Sequence, residues 1–125
     1  MKLTNNFSLS EFDCKDGSKM PPEVFNNILL LVKELQTLRD FIGKPITINS
    51  GYRSPEYNKK IGGASRSQHL LGKAADIRVE GVSPRELRGI IEELIKDGRL
   101  SFKGIGAYSN FTHVDIRSKK ARWNG

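Results

Sequence analysis

The stretch Ser67-Gln68-His69-Leu70-Leu71-Gly72-Lys73-Ala74-Ala75-Asp76 decides how the chain is read. It carries one of the two histidines and ends on an aspartate set in the polar slot of the apolar run Ala74-Ala75-Ile77-Val79. Small residues lie between them, so a loop bearing His69 gives way to a strand beginning near Ala74. The other histidine lies in Phe111-Thr112-His113-Val114-Asp115. Side chains two apart on a strand share a face, which puts His113 and Asp115 on one side. If the two strands pair, His113 and Asp76 meet, and His69 reaches them from its loop. Two histidines and a carboxylate are a common ligand set for a zinc ion that keeps a fourth position open. The competing reading has Asp76 and Asp115 simply paired with nearby arginines.

Outward from this stretch the elements follow from periodicity. Pro21-Pro22 opens a helix over about 22–41, with Phe25, Ile28, Leu29, Val32, Leu35 and Leu38 at helical spacing, and Gly43 and Pro45 end it. Before it, Phe7 to Phe12 reads as a short turn or helix. Ile46-Thr47-Ile48-Asn49 alternates and is β-branched, so it reads as a strand running into Ser50-Gly51-Tyr52-Arg53-Ser54-Pro55. A short helix covers Pro55 to Ile61, and Gly62-Gly63-Ala64-Ser65 is a loop. Ser83-Pro84-Arg85-Glu86 has the form of a capping box, opening a helix with Leu87, Ile90, Ile91, Leu94 and Ile95 on one face. Strands follow at about 102–108 and 111–117 around Ser109-Asn110, and Trp123 in the tail is expected to fold back onto the core. Segregated helices and a small, mostly antiparallel sheet make this an α+β domain.

Composition sets the bounds. The 125 residues suit one domain, 1–125, with 37% apolar and 28% charged residues. The longest apolar run, Ile28 to Val32, is far too short to cross a bilayer, so no membrane insertion is expected. Met1-Lys2-Leu3 is followed by Thr4-Asn5-Asn6, with no apolar signal segment, which implies a protein that is cytoplasmic as encoded. The single Cys14 excludes an internal disulfide and a cysteine-rich metal site, and reads as a buried thiol. A net charge of +7 favours an anionic partner, nucleic acid or bacterial wall polymer among them. The basic residues form no recognised nucleic-acid motif and no aromatic ladder, so nucleic acid is set aside.

The pattern Ser67-x-His69-x-x-Gly72-x-Ala74-x-Asp76, followed downstream by His113, resembles the zinc-site signature of the D-Ala-D-Ala metallopeptidases. That family shares its fold with lysostaphin-type peptidases and the Hedgehog signalling domain. Ser50-Gly51-Tyr52-Arg53-Ser54, Gly104-x-Gly106-x-Tyr108 and Phe111-x-His113-x-Asp115 extend the resemblance over roughly 7–123. It implies a metallopeptidase holding one zinc ion on His69, Asp76 and His113 and cutting peptidoglycan stem peptides, as a carboxypeptidase or an endopeptidase; the chain is expected to be a monomer. It also implies that Arg53 engages a substrate carboxylate, a task suited to its planar fork. Ser67 and Gln68 read either as lining the pocket or as supporting the ligands from behind, and Ser67 reads equally well as a loop cap. A phage-type lysin, reaching the wall through another release system, fits this picture.

One position departs from the pattern. Several relatives carry an acidic general base three residues before the second histidine, where this chain has Asn110. Asp115 is then the nearest acidic candidate, either as the catalytic base or as a group that orients a ligand. The same departure is compatible with a catalytically silent zinc domain that binds cell wall or a partner protein.

Overall fold

The computed structural model describes residues 1–125. Helix α1 spans Pro22–Ile42, with proline in its first turn and Gly43 in the left-handed region (φ 71°) at its end, where the Gly43 N–H bonds to the Arg39 carbonyl. Its buried face is Val24, Ile28, Leu31, Val32, Leu35 and Leu38. The expected face is therefore rotated slightly: Leu29 is exposed and Phe25 half-buried, while Val24 and Leu31 take their places. Helix α2 covers Pro55–Lys60, its first turn capped by Ser54 Oγ, which accepts from Tyr57 N. Helix α3, Pro84–Lys96, starts on the expected box: Ser83 Oγ accepts from Glu86 N, and Glu86 accepts from Ser83 N, both at 3.1 Å.

The strands are β1 (Thr47–Ser50), β2 (Ala74–Arg78), β3 (Gly104–Ala107), β4 (Thr112–Asp115) and β5 (Ala121–Asn124). They form one sheet in the order β1-β2-β4-β3-β5, antiparallel except for the parallel pairing of β3 with β5. The α+β architecture is as expected, and so is the pairing of β2 with β4. Two elements differ. The loop carrying His69 contains a turn of 3-10 helix at Gln68–Leu71, and the tail contributes a fifth strand. Ala121-Arg122-Trp123-Asn124 does alternate apolar and polar, but over only four residues, too short a run to declare a strand by itself; the edge of β3 supplies its hydrogen bonds.

Ala75, Ile77, Ile105 and Val114 join α1 and α3 in a core of 22 buried residues. Cys14 lies in it, its sulfur accepting from Ser54 N at 3.2 Å. The alternate residues of the strands face the other way, and the register aligns them in rows. One row runs Ser50, Asp76, His113, Gly106, Trp123 across all five strands. The next runs Ala74, Asp115, Gly104, Ala121. Trp123 thus packs on the face opposite the core, a correction to the sequence expectation. No helix is long and apolar enough to cross a membrane.

Candidate metal centre

The first row builds the site. Asp76 and His113 are register partners on β2 and β4, so their side chains emerge side by side. His69 comes from the 3-10 turn, which is tied down at several points. Ser67 Oγ accepts from His69 N, Arg53 N bonds to the His69 carbonyl, and Asn27 of α1 donates to the Leu71 carbonyl. All three side chains are buried, and one ligand atom from each lies within 4.8 Å of the others.

Hydrogen bonds on the far side of each ring settle which nitrogen faces inward. His69 Nδ1 lies 2.7 Å from the Gly51 carbonyl, which can only accept, so Nδ1 carries the proton. His113 Nε2 donates to Asp115 Oδ2 at 2.7 Å. In the neutral rings the inward atoms, His69 Nε2 and His113 Nδ1, therefore present lone pairs. They stand 3.1 and 3.0 Å from the same oxygen, Asp76 Oδ1. Three acceptors facing one point repel one another unless both rings take a second proton or a cation sits among them. Two imidazoliums buried beside Arg53 and Arg117 carry a high desolvation and repulsion cost. A single divalent ion satisfies all three, and a nitrogen-nitrogen-oxygen donor set suits zinc.

The surrounding charges point the same way. Burial opposes charge on Asp76, yet attraction to His113 and His69 in their protonated form outweighs it and holds the carboxyl well below the usual range. Asp115 is held low likewise, against its burial, by His113 and Arg117. Burial works to lower the pKa of His113, but its bonds to Asp115 and Asp76 prevail and raise it. The site therefore favours positive charge at its centre.

Asp115 sits behind His113, fully buried, with both oxygens engaged. Oδ2 takes His113 Nε2 and Arg117 Nη2, while Oδ1 takes the Arg117 backbone N–H and Nε. A Cβ on the cross-strand neighbour Gly104 would overlap this carboxylate, so glycine is what leaves it room. Arg53 uses its fork within the protein: Nε to Ser50 Oγ, Nη1 to Asn58 Oδ1, and Nη2 to Asp76 Oδ2 at 3.2 Å. It thereby fixes the Asp76 oxygen that does not face the histidines.

The centre opens into a cleft of about 400 Å³, whose walls include Arg53, Ser67, Gln68, His69, Asp76 and His113. Asp115 and Asn110 are outside its lining. Arg66 and Arg117, unmarked in the sequence, also border it, as do Tyr108, Phe111 and Trp123, whose place in the cleft wall the sequence did not announce. Trp123 packs on His113 with ring centroids 5.0 Å apart, and the Arg117 guanidinium lies over the Trp123 ring, 5.1 Å from its centroid. The signal available was Asp115-x-Arg117, a carboxylate and a guanidinium at the spacing that brings them to one face.

A sheet that presents two histidines and a carboxylate around one point, each ligand braced from behind, defines the metal-centre class of α+β domain. The chain belongs to the Peptidase M15 family, whose model matches residues 3–115. It is 48% identical over 117 residues to the zinc D-Ala-D-Ala carboxypeptidase of Streptomyces albus G, covering 87% of this chain and 45% of that protein. It is 33% identical over 96 residues to the peptidoglycan L,D-endopeptidase MepK of Escherichia coli K12, covering 68% of this chain and 48% of the relative. A probable MepK of Haemophilus influenzae is 32% identical over 114 residues, 86% and 55% of the two chains. The chain thus spans about half the length of the curated relatives it matches.

Proposed function

We propose that this chain is a single-domain zinc peptidase that hydrolyses peptidoglycan stem peptides, with His69, Asp76 and His113 holding the ion. The observation that carries this reading is the convergence of two tautomer-fixed imidazole lone pairs on Asp76 Oδ1. Family membership and the two kinds of relative support the substrate class. Bound there, zinc supplies Lewis acidity, activating a water at neutral pH and polarising the scissile carbonyl.

The chain's own residues do the rest. Asp115 accepts from His113 Nε2 and so keeps Nδ1 free and aimed at the ion, which favours the orienting role over that of general base. Arg53 has five N–H donors and three engaged partners, leaving capacity for a substrate carboxylate at the cleft. Ser67 accepts from His69 N and keeps its own O–H for substrate, with Gln68 beside it in the cleft lining. The excess of basic side chains, Arg53, Arg66 and Arg117 at the cleft included, draws in an anionic wall peptide. In this reading the domain degrades the wall as a monomeric endolysin does.

The test is peptide release from purified peptidoglycan by the zinc-loaded protein, followed by mass spectrometry, with a chelated sample alongside. Loss of a terminal D-alanine identifies a carboxypeptidase, and shortened or separated stem peptides identify an endopeptidase. A zinc-loaded sample that releases nothing refutes the peptidase reading and favours a silent zinc domain.

A further inference from the structure

Tyr108 and Trp123 form a second polar device in the cleft wall, beside the metal centre rather than within it. Trp123 reaches His113 only because Gly106 stands between them in the row: a Cβ there would overlap the indole. The indole Nε1–H donates to the Tyr108 hydroxyl oxygen at 2.9 Å. Indole nitrogen is a donor and never an acceptor, so the direction of this bond is fixed. The phenol oxygen accepts, and the phenol's own proton is left to donate. No protein acceptor takes that proton, although Tyr108 lines the cleft.

The ring that carries this hydroxyl is held on its other sides. Tyr108 stacks on Phe111 with centroids 4.4 Å apart and planes 10° from parallel. Its edge lies against Gly125, where any Cβ would collide with it, and Gly125 N is bonded to the Ala107 carbonyl. Parallel pairing of β5 with β3 is what brings Trp123 and Gly125 to this place. The strand added at the sheet edge therefore builds a pre-oriented O–H donor into the cleft wall.

We propose that the Tyr108 hydroxyl donates a hydrogen bond to an oxygen of the bound peptide, and that Trp123 is the positioning residue that keeps it turned that way. A donor fixed before binding costs less to order than a free one, and only an oxygen acceptor completes it. The acceptor class is a peptide carbonyl or carboxylate oxygen lying over the metal centre. This rests on the peptidase reading above, and its test separates the two.

Trp123 is the single tryptophan, so the protein gives one indole N–H resonance in a proton–nitrogen correlation spectrum. In the ligand-free protein, Tyr108→Phe should move that resonance toward the free-indole position and speed its exchange with solvent. An unmoved resonance overturns the proposal whatever the ligand does. Calorimetry then uses the zinc-loaded protein and a D-alanyl-D-alanine analogue with a phosphinate in place of the scissile amide. Tyr108→Phe should weaken this probe about tenfold, the worth of one well-placed hydrogen bond, at unchanged zinc content. In a double-mutant cycle with Trp123→Phe, the two losses should be less than additive, since Trp123 acts through the hydroxyl. If wild type and Tyr108→Phe bind the analogue equally, this proposal falls and the peptidase reading stands. If the zinc-loaded wild type neither binds the analogue nor releases wall peptide, the peptidase reading falls and takes this proposal with it.

Discussion

Replacing Asp115 by asparagine keeps the shape of the side chain and removes what it does. In the native protein both carboxylate oxygens only accept. Oδ2 receives His113 Nε2 at 2.7 Å and the Arg117 fork, and Oδ1 receives the Arg117 backbone N–H at 3.1 Å and Nε at 2.9 Å. Asparagine must turn its NH2 toward one of these sets, so a donor faces a donor in either orientation, in a fully buried position. One unsatisfied contact of that kind costs about 1–3 kcal/mol of folding stability. His113 also loses the anion that fixes its tautomer, and such partners are worth about 10–100-fold in metal affinity. We expect Asp115→Asn to remain folded, to bind zinc about 10–100-fold more weakly in competition with a chromophoric chelator, and to keep activity once saturated with metal. Unchanged zinc affinity together with abolished turnover would refute the orienting role and return Asp115 to the position of proton acceptor.

Gly104→Ala attacks the same carboxylate from the neighbouring strand: urea unfolding should show a loss of about 1–3 kcal/mol, with zinc affinity lowered in parallel. Leu35→Ala, in the middle of the buried face of α1, should cost about 2–5 kcal/mol by the same assay while leaving zinc affinity unchanged. Hydrogen bonding to Arg122 holds the Glu92 carboxyl below its ordinary value, so its contribution is present above the unfolded-state pKa and is lost as pH falls through the folded one. The stability gap between wild type and Glu92→Gln should accordingly be small, under about 1 kcal/mol at neutral pH, and should close on acidification below the usual carboxylate range. A gap that widens in acid would contradict that assignment.

The parts of the fold legible in the sequence were those written in local chemistry. The proline start and glycine end of α1, the Ser83–Glu86 box of α3 and the β-branched β1 all lie where their residues put them. The meeting of Asp76 with His113 was legible too, because a period of two fixes the face once two strands are paired. What escaped depends on contacts between distant segments. β5 exists through the edge of β3 rather than through its own four residues, and Trp123 therefore lies beside His113 instead of in the core. The buried face of α1 was misjudged by one position because Leu29, Leu30 and Leu31 are equally apolar, and only packing decides among them. The orienting partner of His69 is the backbone carbonyl of Gly51, which carries no side-chain signature at all.

His69, Asp76 and His113 are proposed to hold one zinc ion together. Metal analysis after zinc loading and exhaustive dialysis tests it directly, on the wild type beside His69→Ala and His113→Ala, each first shown to be folded. One equivalent in the wild type and little in either variant is the predicted result. A full equivalent retained by both variants, or none bound by the wild type, would contradict it.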